Sequence, residues 1–324
     1  MKLGDVIRGG IVGITSEGLS RPLPLTVIRK PIEKIMLPKL ERKNTIIIAS
    51  HYRWLDTRQF IPKNCIKVFH SFDKPIEWCG HPQAALSESD MVDKCWCGGV
   101  KAKRKPNGVL MVTLDHEAGM HTKGFYMTAA VAQACKKIGE RLTIIDYGRG
   151  GGTSSELEKV RNFLSKNNYA ITRRKPDNDQ KALAEIFRDH KLFVCSSIKD
   201  ASPKTVPESL CRGLRVVMNK SCWGGKKYIN EANGRIVKMP ESAEEMWDNF
   251  KDIVDGLCVS INDEINRSKD PSSISDLYHS SWGLYNSSML LASELKNQFP
   301  GYVAICYEEF RKHVLKEVLC RKGN

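Results

Sequence analysis

The sequence predicts an α/β protein of two domains, the second a doubly wound parallel sheet, and three observations predict it. First, 324 residues of which 41% are hydrophobic and 27% charged exceed what one small core organises and suit a globular chain of two domains. Second, from Val109 onward apolar runs of strand length alternate with helical segments. Parallel strands need a crossover between them, so this alternation specifies a parallel sheet with helices on its faces. Third, Lys101–Gly108 is a charged stretch closed by Pro106 and Gly108, the texture of an inter-domain linker.

In the first half, Thr45-Ile46-Ile47-Ile48-Ala49 is a continuous apolar run, and Ile66-Lys67-Val68-Phe69 is a second strand candidate; such runs suit strands covered on both faces. Residues 1–44 assign less readily, because Gly9, Gly10, Gly13 and four prolines between Pro22 and Pro38 interrupt them. The second half reads in order: strand Val109–Leu114, helix Phe125–Glu140, strand Leu142–Tyr147, helix Glu156–Asn167, strand Tyr169–Thr172, helix Asp179–His190, strand Leu192–Ser196, helix Thr205–Arg212, strand Val216–Met218. Ser242-Ala243-Glu244-Glu245 has the pattern of a helix start, and the chain then stays mostly helical to Asn324. In a doubly wound sheet, ligands bind beyond the C-terminal strand ends. That rule singles out loops 115–124, 148–155, 173–178 and 197–205.

The chain carries 51 Lys+Arg against 37 Asp+Glu, a net charge of +14, which favours phosphate-rich partners such as nucleotides, nucleic acid or an anionic membrane. Its 11 cysteines are odd in number, and several fall in predicted strands or helices. That distribution suits buried free thiols and a reducing compartment, the cytoplasm (a host's, if the chain is viral). No apolar run approaches the roughly 18 residues of a spanning helix, and Met1–Asp5 shows no signal-peptide pattern, so membrane attachment would be peripheral.

Two carboxylates stand out. Asp200 and Glu208 are separated by seven residues, one in the loop after a strong strand and one near a helix start. Carboxylates accept hydrogen bonds from sugar and ribose hydroxyls, and amides at the helix start bind anionic oxygens. Equally, Asp200 could open a turn and Glu208 complement the helix dipole.

At this point the sequence resembles a family. Leu192–Gly213, followed by Leu214-Arg215-Val216-Val217-Met218-Asn219, is similar to the donor-site segment of the retaining GT-B glycosyltransferases of family four: an acidic residue, seven residues, a Glu, a small-residue helix, a Gly and a Val-Val strand. Asp200 replaces the usual first Glu. Gly224-Gly225 and the Asn233-Gly234-Arg235-Ile236-Val237 strand fit the same course. His121-Thr122-Lys123-Gly124 resembles the family's Lys-Gly turn, whose Lys binds the donor pyrophosphate. The family's Arg about six residues earlier is replaced near Glu117, which leaves phosphate neutralisation to His116, His121, Arg149 or Arg173. Val68-Phe69-His70-Ser71 looks like the strand whose terminal His faces the donor sugar, and His51 ends the preceding strand.

The resemblance implies a GT-B fold, two Rossmann-like domains facing across a cleft with the N-terminal one reduced. Residues 1–107 would be the acceptor domain, 108–255 the nucleotide-sugar domain, and 256–324 helices packing back toward the first. It further implies metal-independent transfer, with retention, from a nucleotide sugar such as a UDP-sugar. His70 and Asp200 would act at the sugar, while Lys123, Gly124, Thr205, Glu208 and Arg173 hold the donor. The acceptor stays open between a hydroxymethylated base in double-stranded DNA, favoured by the charge, and a glycan or lipid at an anionic membrane surface. A non-catalytic nucleic-acid-binding protein is a third class. There are also two weaker signals. Gly148-Arg149-Gly150-Gly151-Gly152 lacks the glycine spacing of a dinucleotide fingerprint. Cys79, His81, Cys95 and Cys97 form either a zinc site of atypical spacing or free thiols in a Trp-bearing loop.

Overall fold

The structure is a computed structural model. It describes five short strands before residue 85, positions 92, 96 and 100, and residues 107–148, 152–166, 180–200, 203–267, 270–282 and 286. The chain divides into two compact units, Met1–Asp93 with His279–Asn324, and Lys94–Tyr278. The division expected between residues 255 and 256 falls inside a helix, Phe250–Asn266, that belongs to the second unit.

The first unit holds a five-stranded sheet in the order β2-β1-β3-β4-β5, from β1 (Ile11–Thr15), β2 (Gly18–Leu19), β3 (Thr45–Ala49), β4 (Cys65–Val68) and β5 (Gln83–Ala84). The strands read at 45–49 and 66–69 are β3 and β4, paired in parallel. The stretch that the sequence left unassigned supplies β1, antiparallel to both β2 and β3. Ile11, Val12 and Ile14 on either side of Gly13 give β1 its strand propensity.

The second unit is the predicted parallel sheet. Its strands are β6 (Val109–Thr113), β7 (Leu142–Asp146), β8 (Leu192–Cys195), β9 (Arg215–Asn219) and β10 (Gly234–Val237), in the order β10-β9-β8-β6-β7, every pair parallel. Central β8 and β9 are buried at every position, whereas edge strands β7 and β10 include partly open ones. That is why the central strands read as unbroken apolar runs. The helices are α1 (Glu117–Thr122), α2 (Met127–Lys137), α3 (Ser155–Lys166), α4 (Gln180–Arg188), α5 (Thr205–Cys211), α6 (Ala243–Asp248), α7 (Phe250–Asn266) and α8 (Pro271–Ser281). Small residues let α2 bury almost its whole length, Ala129 to Ala132 included, in one core with Val254, Leu257 and Ile261 of α7. The start expected at Ser242 is real: its hydroxyl caps α6 by accepting from the Glu245 amide at 3.1 Å. Trp96 is fully buried, edge-on to Phe187 of α4 with ring centroids 5.0 Å apart. No described helix is long and apolar enough to cross a membrane.

The two ends of this sheet differ in character. Strand β6 comes first in the chain, then β7 on one side of it and β8 on the other. The C-terminal end of β6 is therefore a topological switch point, where flanking connections diverge and leave a crevice. At the start of β9, Arg215 and Glu264 of α7 form an ion pair buried to 4% and 0% side-chain exposure, with Arg215 Nε donating to Glu264 Oε2 at 2.7 Å. Arg215 also donates to the carbonyls of Ala232 and Glu231. Removing one member of a buried pair strands the other charge. Glu264→Ala should therefore lower unfolding free energy by about 3–5 kcal/mol in urea denaturation, and Arg215→Met/Glu264→Leu should restore most of it. An unchanged denaturation midpoint for Glu264→Ala would refute this role.

Candidate functional site

The site assembles where α1 ends against the end of β8. Lys123 is the C-terminal cap of α1, its amide donating to Gly119 O at 3.1 Å. Gly124 follows in the left-handed region, φ +62°, and a Cβ there would meet the Ser196 carbonyl oxygen at 2.3 Å. Only glycine meets both conditions. The turn is sewn to the strand end by Ser196 Oγ donating to Lys123 O at 2.9 Å and Ile198 N donating to Thr122 O at 3.0 Å.

This seam brings two of the predicted site residues together. Lys123 Nζ and Asp200 Oδ2, 77 residues apart in sequence, form an ion pair. The Lys123 side chain retains 35% of its exposure and that of Asp200 12%, so both remain reachable from solvent. Burial pulls the Lys123 pKa down, but the Asp200 charge and hydrogen bond outweigh it and hold the group above the ordinary lysine value. Thr205 opens α5 and Glu208 stands in its first turn, half-buried. The expected row of free amides there is shorter than the sequence suggests. Pro207 has none, and that of Val206 donates to Pro203 O at 3.0 Å.

Other expectations are answered by neighbouring contacts. Glu117, near the position where the resembled family carries Arg, lies at the start of α1 and accepts from the Ser154 amide at 2.9 Å. That bond holds its carboxyl below the usual range. His116 caps α1, its Nδ1 accepting from the Ala118 amide at 3.1 Å, and His121 is exposed in the last turn. Asp115 is buried and paired with Arg161 of α3 at 2.8 Å, and its amide shares Asp146 Oδ1 with that of Gly148. His70, Arg173, Arg149, His51, the strand expected at 169–172 and the zinc candidates Cys79, His81, Cys95 and Cys97 lie outside the described residues.

Two neighbours of the site are not evident from sequence. Tyr147 follows β7 directly, its amide donating to Thr113 O at 3.0 Å. Burial first, and then the nearby Glu208 charge, push its phenol up to about 12. The apolar pattern makes it the last residue of a strand, whereas the strand-end rule would flag it as the first residue beyond. Cys222 is buried beneath Asp200, its thiol donating to the Asp200 carbonyl at 3.4 Å. The hydrogen bond with Cys195, and then burial, raise its pKa.

The chain matches no family model and no curated protein. Its fold does match solved structures. The pneumococcal O-GlcNAc transferase GtfA, solved with UDP and GlcNAc, is 13% identical with a TM-score of 0.51 over 72% of this chain and 45% of that one. AviGT4, a glycosyltransferase involved in avilamycin A biosynthesis, is 12% identical with a TM-score of 0.56 over 82% of this chain and 78% of that one. The chain thus spans less than half the length of the pneumococcal transferase.

The Lys123–Asp200 pair generates a prediction with a definite sign. Because the folded lysine titrates above its unfolded value, the pair's contribution to stability is complete below that unfolded value. It is lost as pH climbs through the folded one. Asp200→Asn removes the main influence that raises Lys123, so the lysine should titrate at lower pH than in the unaltered chain when followed by NMR of its side chain. An unchanged titration would contradict the assignment. The likenesses to solved structures are of fold, and the α/β architecture of the chain, with its parallel sheet, is that of GT-B glycosyltransferases.

Proposed function

We propose that the chain transfers a sugar from a nucleoside diphosphate donor, a UDP-sugar, to an acceptor hydroxyl. The observation that carries this reading is the meeting of Lys123 and Asp200 at the topological switch point of a GT-B-type sheet, with Glu208 and Tyr147 on adjoining strand-end connections. One cation and two carboxylates on the strand-end connections beside that point suit a ligand that presents phosphate at one position and hydroxyls at the others.

In this reading Lys123 exchanges Asp200 for a diphosphate oxygen when the donor binds. Its point charge then stabilises the leaving nucleoside diphosphate as the glycosidic bond breaks, which is the step where negative charge develops. Asp200, released, accepts from a hydroxyl of the sugar. Glu208 accepts from the ribose hydroxyls, and Thr205 and Gly124 shape the same wall. The resemblance also implies roles for His70, at the sugar, and Arg173, at the phosphates. The resemblance adds retention of anomeric configuration, independence of metal, and proton removal from the acceptor by the donor's own phosphate.

For the acceptor we propose a hydroxymethylated base in double-stranded DNA. The support is the net charge of +14 together with lysines concentrated on the loops beside Asp200. A base within a duplex has to be flipped out to react, with phosphate contacts holding the strand.

Two measurements test the proposal. Glu208→Gln loses charge-assisted hydrogen bonds to the donor and should weaken UDP-sugar binding by about 10- to 100-fold in calorimetric titration, with the fold intact by circular dichroism. Unaltered affinity would remove Glu208 from the donor site. Incubation with a panel of nucleotide sugars, hydroxymethylated duplex DNA and anionic liposomes should give sugar transfer to the DNA. Transfer to a lipid or glycan acceptor, with none to DNA, would replace the DNA reading.

A further inference from the structure

Trp223 is half exposed on a loop tied by backbone hydrogen bonds to the Asp200 loop. Three large apolar side chains are strongly exposed among the described residues: Trp223, at 46%, Ile236 of β10 and Val259 of α7. Of these, Trp223 alone stands on a C-terminal strand-end loop. That loop, which follows β9, is stitched to the Asp200 loop by Trp223 N donating to Ile198 O at 3.1 Å and Gly224 N donating to Asp200 O at 3.0 Å. Cys222 before the indole in the chain is buried, as are Gly224 and Gly225 after it. Gly225 sits at φ +88°, where a Cβ would meet Pro203 Cγ at 2.6 Å. The backbone that carries the indole is therefore fixed next to the Asp200 loop, and the residue stays 46% open to solvent.

The two loops themselves are rich in lysine, and the Glu241 carboxylate meets one of them at Ser221 Oγ, 2.8 Å away. Residues 196–204 and 220–227 contain Lys199, Lys204, Lys220, Lys226 and Lys227, and their only carboxylate is Asp200, which is already paired with Lys123. An exposed aromatic face beside lysine-rich loops matches a ligand with planar rings and repeating negative charge. Bases stack on the ring, and phosphates lie along the lysines. A membrane surface fits less well, because interfacial binding needs a broad apolar face, and here one indole stands among cations.

We propose that Trp223 is the stacking platform for an unpaired nucleobase, with the lysines of the two loops binding the flanking phosphates. This names the nucleic-acid contact of the acceptor side and rests on the DNA reading above. The surface recognises a strand with an unstacked base, so it binds single-stranded nucleic acid without needing the modified base.

The test is fluorescence anisotropy of the full chain with a labelled oligothymidine of about 20 nucleotides. Trp223→Ala should weaken binding between about 5- and 150-fold at constant salt, with an unchanged melting temperature. Trp223→Phe should keep most of the affinity. Lys220→Gln should reduce the salt slope by about 0.7, which loss of stacking alone would not do. Equal affinity of the Ala variant and the unaltered chain overturns the proposal, as does binding to phosphatidylserine vesicles with none to the oligonucleotide. UDP-sugar binding by the unaltered chain is measured in parallel. Its absence would sink the donor reading while the Trp223 comparison still decides this one.

Discussion

The proposed chemistry depends on one seam: the docking of the α1–α2 turn on the C-terminal end of β8. Two hydrogen bonds, from Ser196 Oγ to Lys123 O and from Ile198 N to Thr122 O, fix the turn. The absent Cβ of Gly124 allows the approach. Without that contact Lys123 and Asp200 would belong to separate loops. With it, they meet across the gap that strand order alone creates. The β9 loop adds a third layer by bonding its backbone to that of Ile198 and Asp200, so the edge is ordered from one loop to the next.

In the proposed reaction the ion pair at this seam is the resting state. Lys123 keeps a third of its side-chain exposure, and a pair so placed is screened, contributing on the order of 1 kcal/mol or less. A diphosphate carries more charge than Asp200 and offers several acceptor oxygens, so exchange of one partner for the other is within reach of ordinary binding energy. The buried Arg215–Glu264 pair at the start of β9 is the opposite case. It is shut from water and surrounded by further hydrogen bonds to backbone carbonyls, which suits anchoring α7 to β9.

Much of the second unit is legible in the sequence because its rules are local. Continuous apolar runs mark β6, β8 and β9, and the Ser242 pattern marks the start of α6. Asp200 and Lys123 are identifiable individually, the first as a strand-end carboxylate and the second by its resemblance to the family's Lys-Gly turn. Their contact is not, because pairing across 77 residues is decided by sheet order. Arg215 escapes the predicted strand for a related reason: a charged residue reads as a terminus until its buried partner on α7 is known. Tyr147 is hidden by a one-residue shift in where a strand ends. In the first unit, β1 pairs antiparallel with β3, and the expectation of a parallel unit hides it, because glycine-interrupted runs resemble loops until a partner strand is in place.

The most direct test of the donor site is a structure of the chain with a nucleoside diphosphate sugar bound. Diphosphate oxygens should lie within hydrogen-bond distance of Lys123 Nζ and ribose hydroxyls on the Glu208 carboxylate, with the Lys123–Asp200 pair opened and Asp200 turned to a sugar hydroxyl. A donor bound elsewhere, with the pair intact and Glu208 facing solvent, would contradict the proposed exchange.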